Sequence, residues 1–343
     1  MAKKSINFIL SFLFFGLSLS FFSCSKKADE ARLKEVVVYS YDSFAGEWGA
    51  AGQIAELFTQ KTGYTLNVVN CGQASTVLSR AIEEKDDVQA DVIIGIDNML
   101  APSALNEKIL DSYKPKGLEQ IDERLLKELG GGNYLIPYDW SHFAVIYDKA
   151  SELPRPSSLE DLTLPLYKNK IVLIDPRTSS VGLGFLAWTE AVYKEKTTDY
   201  WSRLSENILS MTPGWSASWG MFTKGEAPLV ISYTTSPASI VEYDGEDYAE
   251  ALIFEDGHAE QVEGFAILKN APNKKGAQAF ADFFISKEAQ ALLPLTQWMN
   301  PANRETELPE SYKKAAPVPQ KTVITSAENT QKILDEVIVA LEK

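Results

Sequence analysis

The sequence predicts an α/β protein of two lobes, each a parallel-rich sheet with helices on both faces, and a ligand cleft between them. Three observations carry that expectation. Short apolar strands alternate with helical spacing from Val36 onward, and a second series of the same kind follows Gly130-Gly131-Gly132. The roughly 310 residues beyond the N-terminal segment also exceed one ordinary hydrophobic core. Strands covered on both faces read as continuous apolar runs rather than alternating ones, and these do.

Val36-Val37-Val38-Tyr39 is a β-branched strand, left by the loop Tyr41-Asp42-Ser43-Phe44. Gly52 to Lys61 has helical spacing through Ile54, Leu57 and Phe58 and stops at Thr62-Gly63. Leu66-Asn67-Val68-Val69 is the second strand, Thr76 to Glu84 the second helix, and Ala90 to Ile96 an apolar strand ending in Asp97-Asn98. Ligands of open parallel sheets sit outside the carboxyl ends of the strands; here those ends are Tyr41-Asp42, Asn70-Cys71-Gly72 and Asp97-Asn98. In the second series, Ala144 to Tyr147 and Ile171 to Ile174 are strands, and Asp175 to Ser180 turns into a helix over Gly182 to Trp188. Leu229 to Tyr233 is a further strand, and Thr234-Thr235-Ser236-Pro237 opens a helix. Val262 to Leu268 is a further strand, and the helix from Lys275 to Ile285 is expected to run on through Ala289, Leu292 and Leu293. The expected division puts 35–135 and 263–295 in one lobe and 136–262 in the other, with 296–343 a helical segment packed on both.

Lys3 and Lys4 precede an almost wholly apolar stretch, Ile6 to Phe22, that ends at Ser23-Cys24 and gives way to Ser25-Lys26-Lys27. That layout is a secretory signal peptide over 1–23, with an uncleaved anchor helix as the alternative. A small residue followed by cysteine at the end of the apolar run resembles a lipoprotein lipobox, although Phe21 stands where leucine is usual. It implies lipidation of Cys24, with the charged, unpatterned stretch 24–34 as a tether to the membrane. Loss of 1–23 removes two lysines and no acid, so the formal net charge of -14 becomes -16. So acidic a balance excludes nucleic acid as a partner and gives no grip on anionic lipid. Cys71 is then the one remaining thiol, so no intramolecular disulfide is expected. His142 and His258 lack ligand spacing and read as structural; Asp139 and Asp148 flank a strand and read as turn caps. Trp188 sits within a helix and reads as core, whereas Trp215 and Trp298 stand in turn-rich stretches that suit a ligand site.

Gly264-Phe265-Ala266-Ile267-Leu268-Lys269-Asn270-Ala271-Pro272-Asn273, then an Ala-rich helix and Ser286-Lys287-Glu288-Ala289-Gln290, resembles extracellular solute-binding proteins of the type II periplasmic-binding-protein fold. Further motifs follow in order. They are Tyr39 to Phe44 with Trp48-Gly49; Asp91 to Asn98; Pro137-Tyr138-Asp139 with Phe143-Ala144 and Tyr147-Asp148-Lys149; and Asp175 to Ser179 with Gly182-Leu183-Gly184. Gly214-Trp215-Ser216, Lys224-Gly225-Glu226, Ser232 to Pro237, Gly257-His258, Gln261-Val262-Glu263 and Trp298-Met299 complete them. Together, from Val36 to Leu308, they are similar to thiamine-binding periplasmic proteins.

The resemblance implies a non-catalytic, monomeric subunit that hands thiamine or a thiamine phosphate to an importer permease and its ATPase, with no cofactor and no metal. Thiamine joins a permanent thiazolium cation to a flat aminopyrimidine, and both favour aromatic faces. Tyr41, Trp48, Trp215, Tyr233 and Trp298 match cleft-lining positions of the family, and Gln73 and Ser179 join them as ligand contacts. Asp42 and Asp97 are the carboxylates expected to balance the cation. Thr178-Ser179-Ser180 and Thr234-Thr235-Ser236 lie at helix starts, where free N–H groups favour a phosphate, though such residues are commonly N-caps alone. Arg177 could add charge there. Two departures stand out: Gly72-Gln73-Ala74 occupies the place of an Asp-Gly pair, and Ser239 the place of an aromatic. Two other readings belong to the same fold. Thiamine-cleaving enzymes use a cysteine nucleophile, for which Cys71, at a strand end expected to face the cleft, is the candidate, although no cation neighbours it in sequence. Ferric-ion binders need clustered tyrosines, whereas Tyr233 stands alone among Thr and Ser.

Overall fold

The computed structural model describes residues 32–341; the expected signal peptide, Cys24 and most of the tether lie outside them. Among the described residues eleven strands form the sheet framework: β1 (Glu35–Ser40), β2 (Thr65–Asn70), β3 (Val92–Asp97), β4 (Leu110–Asp111), β5 (Ile136–Asp148) and β6 (Ile171–Ile174), then β7 (Ile208–Thr212), β8 (Leu229–Tyr233), β9 (Ala249–Leu252), β10 (Glu260–Leu268) and β11 (Asn300–Pro301). Their order is β2-β1-β3-β10-β5-β8-β6-β7, with β4 on β10 and both β9 and β11 on β5.

The chain crosses between lobes along β5. Its first half pairs with β10, Gln261 facing Ser141, and its second half pairs with β8, Val145 facing Ile231. β1 pairs with β2 and β3 in parallel, as β6 does with β7 and β8. β10, however, runs antiparallel to both β3 and β5, so the parallel-rich sheets also carry antiparallel pairings. Each half has its own core. Phe44, Phe58, Phe265, Phe280 and Phe284 fill one, in edge and stacked ring contacts. Phe185, Trp188 and Trp201 fill the other. Each such side chain, fully buried, contributes roughly 1.5–3 kcal/mol of transfer free energy.

Several element boundaries differ from the expectation, for physical reasons. The strand expected at Ala144 to Tyr147 is thirteen residues long, because Asp139, Ser141 and His142 are buried within the sheet rather than ending it. Neither Asp139 nor Asp148 ends that strand early, although Asp148 does cap the following turn through Ala150 N–H at 2.8 Å. The helix after Lys274 stops at Phe284. Ser286 is extended (φ −65°, ψ 153°) and accepts a bond from Ala289 N–H, which starts a separate turn over Lys287–Gln290. Trp215 opens a nine-residue helix to Thr223, so its setting is helical rather than turn-rich.

Candidate ligand cleft

A cleft of about 430 Å³ lies between the lobes at the carboxyl ends of β1 and β8. One wall begins at Tyr41, directly after β1. Its ring lies over Gly95 of β3, which has φ +92° and where an added Cβ would come within 2.3 Å of the ring. Glycine at that position is therefore a condition for the ring's placement. Tyr41 donates to Glu263 Oε2 at 2.7 Å, and its hydroxyl also meets that of Tyr138 at 2.9 Å. Asp42 opens the short helix Asp42–Ala45, and Trp48, beyond it, is 83% exposed at the mouth. Gln73 completes this wall.

The facing wall is built on β8 and the helices around it. Trp215 donates its indole N–H to Ser232 at 2.8 Å and stacks on Trp219 one turn later, centroids 5.8 Å apart and 11° between planes. Tyr233 stacks on Phe143 at 5.4 Å and donates to Gln261. Trp298 adopts a left-handed backbone (φ +56°), with Tyr243 edge-on at 5.3 Å and Tyr312 stacked at 6.4 Å. Ser239, in the helix Pro237–Tyr243, lines the cleft where the resemblance expects an aromatic, and Tyr243 lines it one turn further along that helix. The walls approach each other closely at Ser75 and at Gly214. Ser75 donates to the Thr178 carbonyl at 2.9 Å, and Gly214 approaches Gln73 so closely that an added Cβ would lie 2.5 Å from its amide nitrogen.

Beneath the aromatics lies an acidic floor. Glu263 lines the cleft and accepts from Tyr41 and Tyr138, each at 2.7 Å. Asp139 sits beside it, fully buried, its carboxyl against that of Glu263. Burial, then the charge of Glu263 and the hydrogen bond between the two carboxyls, pushes Asp139 well above the carboxylate range. Burial raises Glu263 too, but the two tyrosine hydroxyls act against the rise. Asp97 is pushed up to about 7, chiefly by burial and then by Glu263, while Gln261 donates to it at 2.8 Å. Among the described residues four acids, Asp42, Glu47, Asp244 and Glu263, line the cleft, and no Lys, Arg or His does. An acidic, base-free cavity with aromatic walls is chemically suited to a flat organic cation.

The structure gathers Tyr41, Asp42, Trp48, Gln73, Ser179, Ser180, Trp215, Tyr233 and Trp298 on the cleft wall. Asp97 lies below the surface, within the floor. Thr178 is turned away, donating to the Pro213 carbonyl at 2.8 Å. Thr234 and Thr235 are buried against Ser141, and Ser236 bonds Ser232 at 2.7 Å, so the second hydroxyl run is outside the lining. Arg177 forks onto Asp175. Cys71 does not face the cleft: its sulfur packs against the first core, with the Arg80 guanidinium at 3.8 Å, a cation that sequence adjacency did not show. His142 and His258 are hydrogen-bonded at 2.7 Å to Thr322 and 2.8 Å to the Phe143 carbonyl, and burial lowers both, His142 to about 4. Among the described residues no group of three or more His, Cys, Asp or Glu is placed to hold a metal ion. Sequence reasoning missed Glu263, Trp219 and Tyr243 as cleft residues. The Glu-Gln-Val-Glu run within an apolar strand and the Trp215/Trp219 spacing of one helical turn are the signals that mark them.

Two α/β lobes joined through shared strands, with a preformed cleft between them, define a solute-binding protein. The sequence matches the family described as bacterial extracellular solute-binding protein over residues 87–323. It is 35% identical over 315 residues to the thiamine-binding periplasmic protein of Brucella abortus biovar 1 (strain 9-941), covering 90% of this chain and 91% of that one. To the protein of the same description from Escherichia coli (strain K12) it is 34% identical over 284 residues, 81% of this chain and 84% of the other. The solved structure of a periplasmic thiamin binding protein superposes with a TM-score of 0.83 at 30% identity, over 90% of this chain and 96% of that chain. The chain thus belongs to the bacterial extracellular solute-binding proteins and, within them, to the family of thiamine-binding periplasmic proteins. Members of that family are exported binding proteins of transport, and this chain is a binding protein rather than an enzyme.

Proposed function

We propose that the chain captures thiamine or a thiamine phosphate in the inter-lobe cleft and delivers it to a membrane permease driven by an ATPase. The observation that carries this reading is the pairing of aromatic walls with a lining that, among the described residues, is acidic and holds no base. A thiazolium cation gains about 0.5–2 kcal/mol from each aromatic face it meets. In this reading Tyr41, Trp48, Trp215, Tyr233 and Trp298 supply the faces. Asp42 and Glu263 balance the charge, Asp97 joins them from below only as it ionises around pH 7, and Gln73 and Ser179 hydrogen-bond the polar edges.

The protein works as a monomer held at the membrane by a lipid on Cys24, after removal of 1–23, with 24–34 as tether. The lobes, 35–135 with 263–295 and 136–262, close on the ligand about the strands that join them, and 296–343 braces them. Among the described residues no helix is long and apolar enough to cross a membrane.

Calorimetry of the purified protein with thiamine tests the ligand; submicromolar binding with the ligand recovered intact is expected. No heat with thiamine or either phosphate sinks the ligand assignment. Radiolabelled palmitate incorporation that survives Cys24→Ser sinks the anchor.

A further inference from the structure

The cleft floor rests on a row of carboxyls that spans three strands. Glu263 on β10 is in register with Asp97 on β3 at one side and with Asp139 on β5 at the other. Directly opposed residues of antiparallel strands put their side chains on the same face, with Cβ atoms about 4.5–5.5 Å apart. Asp97 and Asp139 are fully buried, and of the three only Glu263 reaches the cleft lining. The Gln261 amide bridges two of them, donating to Asp97 Oδ2 at 2.8 Å and to Glu263 Oε1 at 3.4 Å.

Three carboxyls so close together and shielded from water cannot all be ionised, and the protons they keep belong to the row rather than to one member. What faces the row offers no counter-charge. Tyr41 follows β1, Tyr138 lies on β5, Tyr233 ends β8, Tyr312 comes from the helix Glu310–Ala315, and Ser180 opens its own helix against Asp97. Burial first, then the acids themselves, hold the four phenols well above their ordinary value, so they face the row as neutral hydroxyls. The other lining acids, Asp42, Glu47 and Asp244, add to the negative side. Among the described residues no Lys, Arg or His lines the cleft, and none acts on Asp139 or Glu263. The positive charge has to come with the ligand.

From this arrangement we infer that capture of the cation is coupled to loss of a proton, which the row Asp97–Glu263–Asp139 yields to solvent as the ligand takes over as counter-charge. The thiazolium charge is permanent, so the proton released is the protein's. The inference rests on the thiamine reading above and gives its floor a further function. Glu263 faces the cation, while Asp97 and Asp139 act through Glu263 as positioning residues. An ionised row binds a cation more tightly, and a bound cation makes the row easier to ionise. Affinity therefore rises with pH until the row is fully ionised. With Asp97 held at about 7, that rise spans neutral pH.

Titration calorimetry of the purified protein with thiamine, in buffers of different ionisation enthalpy, counts the protons. A cation that makes the row about tenfold easier to ionise releases about half a proton per ligand near pH 7 and raises affinity about fivefold from pH 6 to pH 8. In the double variant Asp97→Asn, Asp139→Asn the proton count and the pH dependence should both fall severalfold, whatever affinity remains, because Glu263 without like charges beside it ionises below this window. The wild type gives a second readout that needs no variant. Its infrared spectrum should lose protonated-carboxyl C=O absorption when thiamine, which has no carbonyl, binds. Heats equal in every buffer, a carboxyl absorption unchanged by ligand, or a proton count unaltered in the double variant each overturns the coupling and leaves thiamine as the ligand. No heat with thiamine at any pH overturns the ligand reading, and the coupling with it.

Discussion

The two aromatic walls of the cleft are built differently. On the β8 side, Trp215 is tied by its indole N–H to Ser232 and stacked on Trp219, and Tyr233 is stacked on Phe143 and bonded to Gln261. These rings are held before any ligand arrives. On the β1 side, Tyr41 is equally fixed, but Trp48 stands 83% exposed beyond a four-residue helix and loses most of its freedom only when something covers it. A pre-held ring gives its full contact energy to the ligand, whereas a free ring gives back part of it as ordering entropy, about 0.5–1.5 kcal/mol for a side chain. The wall with the most internal bonds should therefore carry most of the affinity.

That comparison is broken most directly at Trp215. Trp215→Ala is expected to cost about 2 kcal/mol of binding, roughly thirtyfold in Kd. Trp215→Phe should recover part of the loss, because the stacking face returns but the bond to Ser232 does not. Calorimetry with thiamine measures both. A loss of threefold or less at Trp215→Ala would place the binding energy elsewhere and end the idea of a preformed wall.

The floor that joins the walls yields the next effect, through pH. Asp97 is pushed from its ordinary 3.8 up to about 7, by burial first and Glu263 second. Between those values the folded protein holds a proton that the unfolded chain has released. Stability from this group is thus present at low pH, falls as pH rises across that window, and is fully lost above it. Asp97→Asn removes the titration and can keep the acceptor that caps Met99 and Leu100 N–H, both at 3.0 Å. Relative to wild type, its Tm should rise more at pH 8 than at pH 4.5, by several degrees. Thermal melts at the two pH values decide it, and an equal displacement at both would mean that Asp97 is not held neutral by its surroundings.

The fold was legible because apolar runs and helical spacing report local structure, and the strands at Ile171 to Ile174 and Leu229 to Tyr233 fell where they were expected. The long β5 was not, because Asp139 and His142 look like strand ends until their burial within the sheet is known. Thr178-Ser179-Ser180 and Thr234-Thr235-Ser236 read alike in sequence, yet two residues of the first run line the cleft and none of the second does. Composition at a helix start marks a cap; which way the helix points is a tertiary fact. The same holds for Cys71, which sits at a strand end as expected but is turned into the core beside Arg80. Glu263 escaped notice because a carboxylate in an apolar strand becomes a cleft group only once Tyr41 and Tyr138 are placed against it.

The smaller effects lie on the free wall. Trp48→Ala should weaken thiamine by about three- to tenfold, less than Trp215→Ala, because part of its contact is spent on ordering the ring. Smaller still is the contribution of Ser75, whose hydroxyl reaches across the cleft to the Thr178 carbonyl at 2.9 Å. An exposed hydrogen bond of this kind is worth about 0.5–1 kcal/mol net. It touches both lobes and is not among the lining residues, so it can act only on the balance between open and closed forms. Ser75→Ala should therefore raise the dissociation rate about two- to threefold and leave the association rate nearly unchanged, since encounter takes place with the open protein. Stopped-flow tryptophan fluorescence separates the two rates, with Trp215 and Trp298 as natural reporters. A slower association with unaltered dissociation would place the bond on the path of entry instead, and the free wall would then be a gate rather than a lid.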